Sequence, residues 1–489
     1  MTTAAVIAIG RSTFDVEFGA MHVKSARAVL ERLGVSIVGP DDVIIDPAAG
    51  IAAVETASRA RVDTTIVLQA TFTDASTIIA LAAAAPTPIV VWSFPEERVG
   101  DRLRLNSLCG ANLAAYSLRR RQHRCAFVHV DPDALDVDNR VAAAIDAALE
   151  DEDNRSTTTA AVDATLDATL DPHVVRAAER IDERLHRSTV GVIGEPPTGF
   201  EPCVGDDDQI SERLGVRVER ARLDGLFDRA TTAPTDRVDR TIDRMTTTLS
   251  LDSGLTRADL EPSARLYCGM RHLVDGDGLA AVATRCWPEC MADFGGAVCT
   301  PHAMLTEDRV PGVCEADVLG AVTALVLQLL AGSDPFIADL VDLDEHDDTS
   351  VLWHCGVAST RLATPGDVAV GTVHPNRKVA LVNQFALRPG RVTVARISQC
   401  GGSLHLVLAG GELLDRPRPY TGTCGTIRWD RPVRDVANTI FGWGIAHHLG
   451  VVYGDHHALL VELARQWDMP VVHLGATAVA AQLSSNQSG

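Results

Sequence analysis

Short apolar, β-branched runs alternate with helical patterns through the first third of this chain. Residues 5–9, 35–38, 65–68, 89–92 and 127–130 read as strands, and residues 20–33 repeat their apolar positions with helical period. That rhythm predicts a parallel sheet flanked by helices. Residues 150–171 then turn acidic and Thr-rich, from Glu150-Asp151-Glu152-Asp153-Asn154 to Ser156-Thr157-Thr158-Thr159, which predicts a linker or exposed hairpin. A second α/β unit follows, with a helix over 173–186, a strand over 189–193 and a Pro/Gly turn at Gly194-Glu195-Pro196-Pro197-Thr198-Gly199-Phe200. Residues 281–285 read as a strand, and residues 316–330 as a helix apolar on most sides, hence central to its domain.

Past residue 346 the pattern changes to consecutive strands at 351–354, 379–385, 392–397 and 404–408. Pro389-Gly390 and Gly401-Gly402 fall between successive runs, where they would punctuate antiparallel hairpins. A helix over 457–467 and a strand over 471–474 close the pattern. The expected fold is therefore α/β: two doubly wound α/β domains, 1–165 and 166–345, then a β-rich, barrel-like domain at 346–489. A chain of 489 residues is long enough for three such units.

Charge narrows the function classes. Lys+Arg of 44 against Asp+Glu of 65 leaves a net −21, which argues against nucleic acid or anionic membrane surfaces and favours a small molecule. Lysine is confined to Lys24 and Lys378. Eleven scattered cysteines do not form the dense, even framework of a secreted disulfide scaffold, so reduced thiols in a cytoplasm are expected. No basic leader precedes the first apolar run and no apolar stretch reaches spanning length, so a soluble cytoplasmic protein is expected.

The most informative segment runs from Cys314 to Gly356. It sets Glu315 at the amino end of the apolar helix, where the helix dipole favours a charged carboxylate. Asp339 lies beyond the helix, and His354 ends the apolar run Val351-Leu352-Trp353. Far downstream, His447-His448 supplies the further imidazole that a mixed carboxylate and nitrogen metal site needs. Two carboxylates flanking a carbon chain can hold a cation and also move protons. The alternatives are surface acids and a satisfied core histidine. Adjacent side chains diverge, so one of the two histidines is expected to reach a given metal. Cys286, Cys290, Cys299 and Cys314 share a segment but fit no compact zinc spacing, and are expected as small buried hydrophobes. Gly10-Arg11-Ser12, Gln69-Ala70-Thr71-Phe72 and Trp92-Ser93-Phe94-Pro95 stand at strand ends of the first unit, without a dinucleotide fingerprint or P-loop.

Cys286-Trp287-Pro288-Glu289, Cys314-Glu315-Ala316-Asp317-Val318-Leu319-Gly320, Ala338-Asp339-Leu340, Trp353-His354-Cys355-Gly356, and His447-His448 followed by Val452-Tyr453-Gly454-Asp455 carry a resemblance. In this order they resemble the L-fucose and L-arabinose isomerase superfamily of aldose–ketose isomerases, over roughly residues 190–475. The resemblance implies two α/β domains and a β-rich domain, in a homo-oligomer (hexamer or trimer) with active sites between subunits. It implies Mn2+, or another divalent cation, on Glu315, Asp339, His448 and His354. Glu315 and Asp339 would be the acid/base pair acting through a cis-enediol on a monosaccharide. Arg11, Trp92, His447 and Trp287 would bind substrate, with Arg11 and Trp92 reaching across from a neighbouring subunit. Asp317 is expected to support the helix end. A catalytically inactive sugar-binding or regulatory protein of the same fold is the alternative. The chain has the length of the arabinose type but motifs nearer the fucose type, which leaves the sugar open.

Overall fold

The computed structural model describes residues 2–46, 49–50, 52–53, 61–84, 87–150 and 171–476. The greater part of the segment expected to be a linker or hairpin, residues 151–170, lies outside the described residues.

Five strands form the first sheet: β1 (Thr3–Ile9), β2 (Ser36–Val38), β3 (Thr64–Gln69), β4 (Ile89–Ser93) and β5 (Cys125–His129). All are parallel in the order β2-β1-β3-β4-β5. β3 and β4 are buried along their whole length, as strands covered on both faces must be. The helix expected at 20–33 runs Val16–Arg32, started one turn earlier by Asp15, whose carboxylate accepts the Phe18 N–H. Winding reverses between β1 and β3, so their carboxyl ends border the crevice in which such sheets bind ligands. Arg11 and Phe72 stand there.

The second sheet is smaller. β6 (Thr189–Ile193) and β7 (Arg217–Ala221) come first; after β8 (Ser250–Leu251), which pairs elsewhere, β9 (Ala281–Thr284) and β10 (Gly312–Cys314) complete the parallel order β10-β9-β6-β7. The apolar helix Val318–Ala331 leaves β10 and is buried from Val318 to Gln328. Its apolarity on every side has a direct cause, since it lies between this sheet and the third unit, touching β9, β15 and β18.

The third unit is a barrel. Its strands are β11 (Phe336–Asp344), β12 (Thr349–His354), β13 (Val370–Val373), β14 (Ala380–Ala386), β15 (Gly390–Ser398), β16 (His405–Leu413), β17 (Thr423–Trp429), β18 (His448–Tyr453) and β19 (Val471–His473). β16, β15, β18, β11, β12 and β17 close into a ring through the β16–β17 pairing, which removes the open edges a flat sheet would expose. β11 begins at Phe336, so Asp339 belongs to the barrel while Glu315 belongs to the second sheet.

One expected hairpin forms and the other does not. Gly401-Gly402 joins β15 to β16 in antiparallel register, with both glycines at positive φ. Pro389-Gly390 instead marks a crossing: β14 pairs with β13 and, in parallel, with β17, whereas β15 pairs with β16 and β18. A Pro-Gly pair signals a turn but not which strands it joins.

Candidate active site

Three edges converge on one site: the carboxyl ends of both parallel sheets and the start of barrel strand β18. Glu315 follows β10 and precedes Asp317, the N-cap of the Val318–Ala331 helix, whose carboxylate accepts the Gly320 N–H at 2.9 Å. Glu315 and Ala316 both adopt left-handed backbone, at φ +63° and +52°. Such a conformation costs about 1–2 kcal/mol per non-glycine residue, and is found where surrounding structure enforces it at functional sites. Here the turn separates two carboxylates only two residues apart. Glu315 keeps 14% of its side-chain surface, while Asp317 is wholly buried.

Asp339 and His448 meet through sheet register. They are directly opposed partners on antiparallel β11 and β18, so their side chains share one face. His448 Nε2 lies 3.7 Å from Asp339 Oδ1 and 3.5 Å from Glu315 Oε2. Its other nitrogen, Nδ1, is 2.7 Å from Asp317 Oδ2, and Arg396 holds that carboxylate in a bidentate pair at 2.6 and 2.8 Å. A carboxylate on Nδ1 fixes the ring and leaves the Nε2 lone pair aimed at Glu315 and Asp339. Both Asp339 Oδ1 and His448 Nε2 are buried without a hydrogen-bond partner. Orphaned acceptors facing one another in a buried site fit a divalent cation, and carboxylate with imidazole is a donor set that several such cations accept.

His447 stands beside His448 in the same site. It precedes β18, outside the strand's alternation, and its Nε2 sits 3.0 Å from the same Glu315 oxygen that His448 approaches. The two rings lie 4.0 Å apart. His354, at the end of β12, has its ring 5.5 Å from His448. Its Nδ1 accepts the Cys355 N–H at 2.9 Å. Among the described residues, ligand atoms of Cys203, Glu315, His447 and His448 lie within 4.8 Å of one another. Burial, with the nearby Asp317 and Glu315 charges, pushes the Cys203 thiol well above its ordinary pKa.

The two site carboxyls shift in opposite directions. Burial raises Glu315, but the His447 hydrogen bond and the neighbouring imidazoles outweigh it and hold the group below its usual value. Burial also raises Asp339, and the histidines only partly offset it, leaving that carboxyl above its usual value. For Asp317, the cost of burial is overcome by the Arg396 charge and by hydrogen bonds from His448 and Arg396, so it stays ionised.

Arg11 enters the same site from the first sheet. Its guanidinium pairs with Asp74 and stacks 5.4 Å from Phe72 and 5.2 Å from Trp287. Trp287, past the end of β9, donates its indole N–H to Glu315 Oε1 at 3.1 Å. Phe200, from the Pro/Gly turn after β6, lies edge-on to Trp287 and His447. Trp92 is placed differently. It is completely buried in the first unit and donates its N–H to the Val130 carbonyl, so it packs that sheet and presents no surface to a sugar.

Sequence reasoning missed Arg396, although a signal existed: a charged residue inside the apolar run Val392-Thr393-Val394-Ala395-Arg396-Ile397 needs a buried partner. It also missed the link from Asp317 to His448, which no spacing encodes. The four cysteines considered as a zinc set are buried free thiols: Cys314 interacts with Cys286, Cys299 and Cys355, Cys299 Sγ lies 3.4 Å from Cys355, and Cys290 bonds the Arg285 carbonyl.

Comparison with known proteins agrees with the geometry. The model of the fucose/sulfoquinovose isomerase N-terminal domain matches residues 5–147. A sulfoquinovose isomerase of Alkalicoccus urumqiensis is 30% identical over 410 residues, covering 83% of this chain and 85% of that one. Another, from Priestia aryabhattai, is 28% identical over 471 residues, covering 96% of this chain and 98% of its own. With the site assembled from both sheets and the barrel, and a relative of that identity spanning most of the chain, this protein belongs to the fucose/sulfoquinovose isomerase family of aldose–ketose isomerases.

Proposed function

We propose that this chain is a divalent-metal-dependent isomerase, with Glu315, Asp339 and His448 as the residues that would hold the cation. The observation that carries this reading is the pair of buried, unpartnered acceptors, Asp339 Oδ1 and His448 Nε2, facing Glu315. A cation bound there would polarise the carbonyl of an open-chain sugar as a Lewis acid. The protein's own groups do the rest. One of the two carboxylates would take the C2 proton of the aldose as O1 gains a proton, giving a cis-enediol; C1 then gains a proton as O2 gives one up, leaving the ketose, with the other carboxylate exchanging the hydroxyl protons. His447 and Trp287 hold Glu315 from two sides, which fixes its direction of approach. Asp317 and Arg396 fix His448 from behind. His354 supplies a further imidazole at the edge of the site, and Arg11 a cation for the rest of the sugar. Mn2+ suits the donor set, as do other divalent cations. A homo-oligomer is part of this reading, as is sulfoquinovose, the sugar that the relatives are named for.

The test is metal analysis of the purified protein, followed by an aldose-to-ketose assay with added manganese on wild type and Glu315→Gln. Activity restored by manganese and reduced by about 10²–10⁴-fold in the variant is the expected result. Full turnover in Glu315→Gln would remove the assignment.

A further inference from the structure

We propose that Arg377, acting with Arg11 across the face of Trp287, forms the subsite that recognises a fixed anionic group on the sugar, a sulfonate at the end remote from the carbonyl. This rests on the isomerase reading and adds to it the residues that select the substrate's charge.

Trp287 connects the reacting end to the cationic end. Its indole N–H is bound to Glu315, and its ring carries Arg11 at 5.2 Å and Arg377 at 4.5 Å. The indole is comparable in length with a hexose carbon chain, so a sugar whose first two carbons lie at Glu315 would carry its last carbon toward the arginines. Arg377 comes from the turn His374-Pro375-Asn376-Arg377-Lys378, next to one of the two lysines of a strongly acidic chain. Among the described residues it makes no ion pair or hydrogen bond; the Trp287 ring is its partner. Arg11, in turn, feels the charges of Asp74, Arg377 and Glu315. Asp74 pairs with one terminal nitrogen of Arg11, and the other, Nη1, is buried with no hydrogen-bond partner.

Those facts are costly unless a ligand completes them. Two guanidinium groups close enough for Arg377 to depress the basicity of Arg11, after the larger effect of burial, repel one another. Buried donors are normally satisfied. An anion between them would supply the missing acceptor and relieve the repulsion, and guanidinium groups match multi-oxygen anions better than ammonium groups do. A neutral hydroxymethyl could accept one hydrogen bond but would not relieve the repulsion.

The experiment compares kcat/KM for sulfoquinovose with that for quinovose, which lacks only the sulfonate, in wild type, Arg377→Ala and Arg377→Lys, all with manganese. The expected result is a wild-type preference for the sulfonated sugar that falls roughly 10- to 100-fold in Arg377→Ala, with partial retention in Arg377→Lys. Because each variant is its own reference, loss of folded protein does not move the ratio. An unchanged ratio in Arg377→Ala, or equal use of both sugars by wild type, overturns the subsite while the isomerase reading stands. No turnover of either sugar by wild type sinks the isomerase reading itself, and the subsite with it.

Discussion

Asp317 performs two tasks from complete burial: it caps a helix through the Gly320 N–H and anchors His448 through Nδ1. Its partner Arg396 is equally buried, so the pair is held by mutual neutralisation, and removing one charge strands the other. Asp317→Asn is therefore expected to destabilise the protein by roughly 3–5 kcal/mol. It should also weaken manganese binding about 10- to 100-fold by loosening His448. Denaturant unfolding and a calorimetric manganese titration measure the two effects. A titration identical to wild type would show that Asp317 does not position the ligand. Glu96 predicts a pH effect. It is buried in the loop before the Ser107–Arg120 helix, accepting N–H groups of Arg104, Leu105 and Asn106, and burial raises its pKa from 4.5 to about 7. The folded state then binds the proton more tightly than the unfolded chain. Stability from this group is present below pH 4.5 and is lost as pH rises towards 7, by at most roughly 1.4 kcal/mol per unit. Thermal melts across that range should show the decline, and Glu96→Gln should flatten it.

At the scale of elements, the contact between the Val318–Ala331 helix and β18 decides where Glu315 sits relative to His448. Gly450 makes that contact possible. A methyl group there would stand 2.6 Å from Leu327 Cδ1, 2.9 Å from Thr323 Cγ2 and 2.9 Å from the Ala395 carbonyl. The carbonyl belongs to a paired strand and cannot turn aside. Gly450→Ala is expected to cost about 1–3 kcal/mol and to push β18 from the helix, two residues from His448. A lowered Tm accompanied by weaker manganese binding is the expected signature; a Tm within error of wild type would mean the barrel yields at no cost. Helix and strand positions were largely legible, because apolar runs and caps act locally. The partner of β14 was not, because Pro389-Gly390 carries no information about a strand hydrogen-bonded from elsewhere in the chain.

The whole molecule places the two carboxylates on different units, Glu315 after the second sheet and Asp339 in the barrel. A cation between them would tie those units together, and a ligand that binds only the folded state stabilises it by mass action, about 2.7 kcal/mol at a hundredfold excess over Kd. Removal of metal by chelator should lower the Tm and manganese should restore it, with no such response in Asp339→Ala. An equal response in that variant would place the binding elsewhere. Among the described residues no helix is long and apolar enough to cross a membrane.

By itself the sequence determined the α/β order, the buried helix behind Glu315 and the set of carboxylates and imidazoles, because local periodicity and residue chemistry are written along the chain. It also carried the family likeness, which rests on short motifs in order. Tertiary structure decided what those residues do together. Register across β11 and β18 set Asp339 against His448, a backbone turn split Glu315 from Asp317, and a buried arginine 79 positions from Asp317 fixed that carboxylate against the histidine. It also separated Arg11 from Trp92, sending one into the site and the other into the core. Side-chain direction and long-range pairing follow from packing between distant segments, and no spacing along a single chain encodes them.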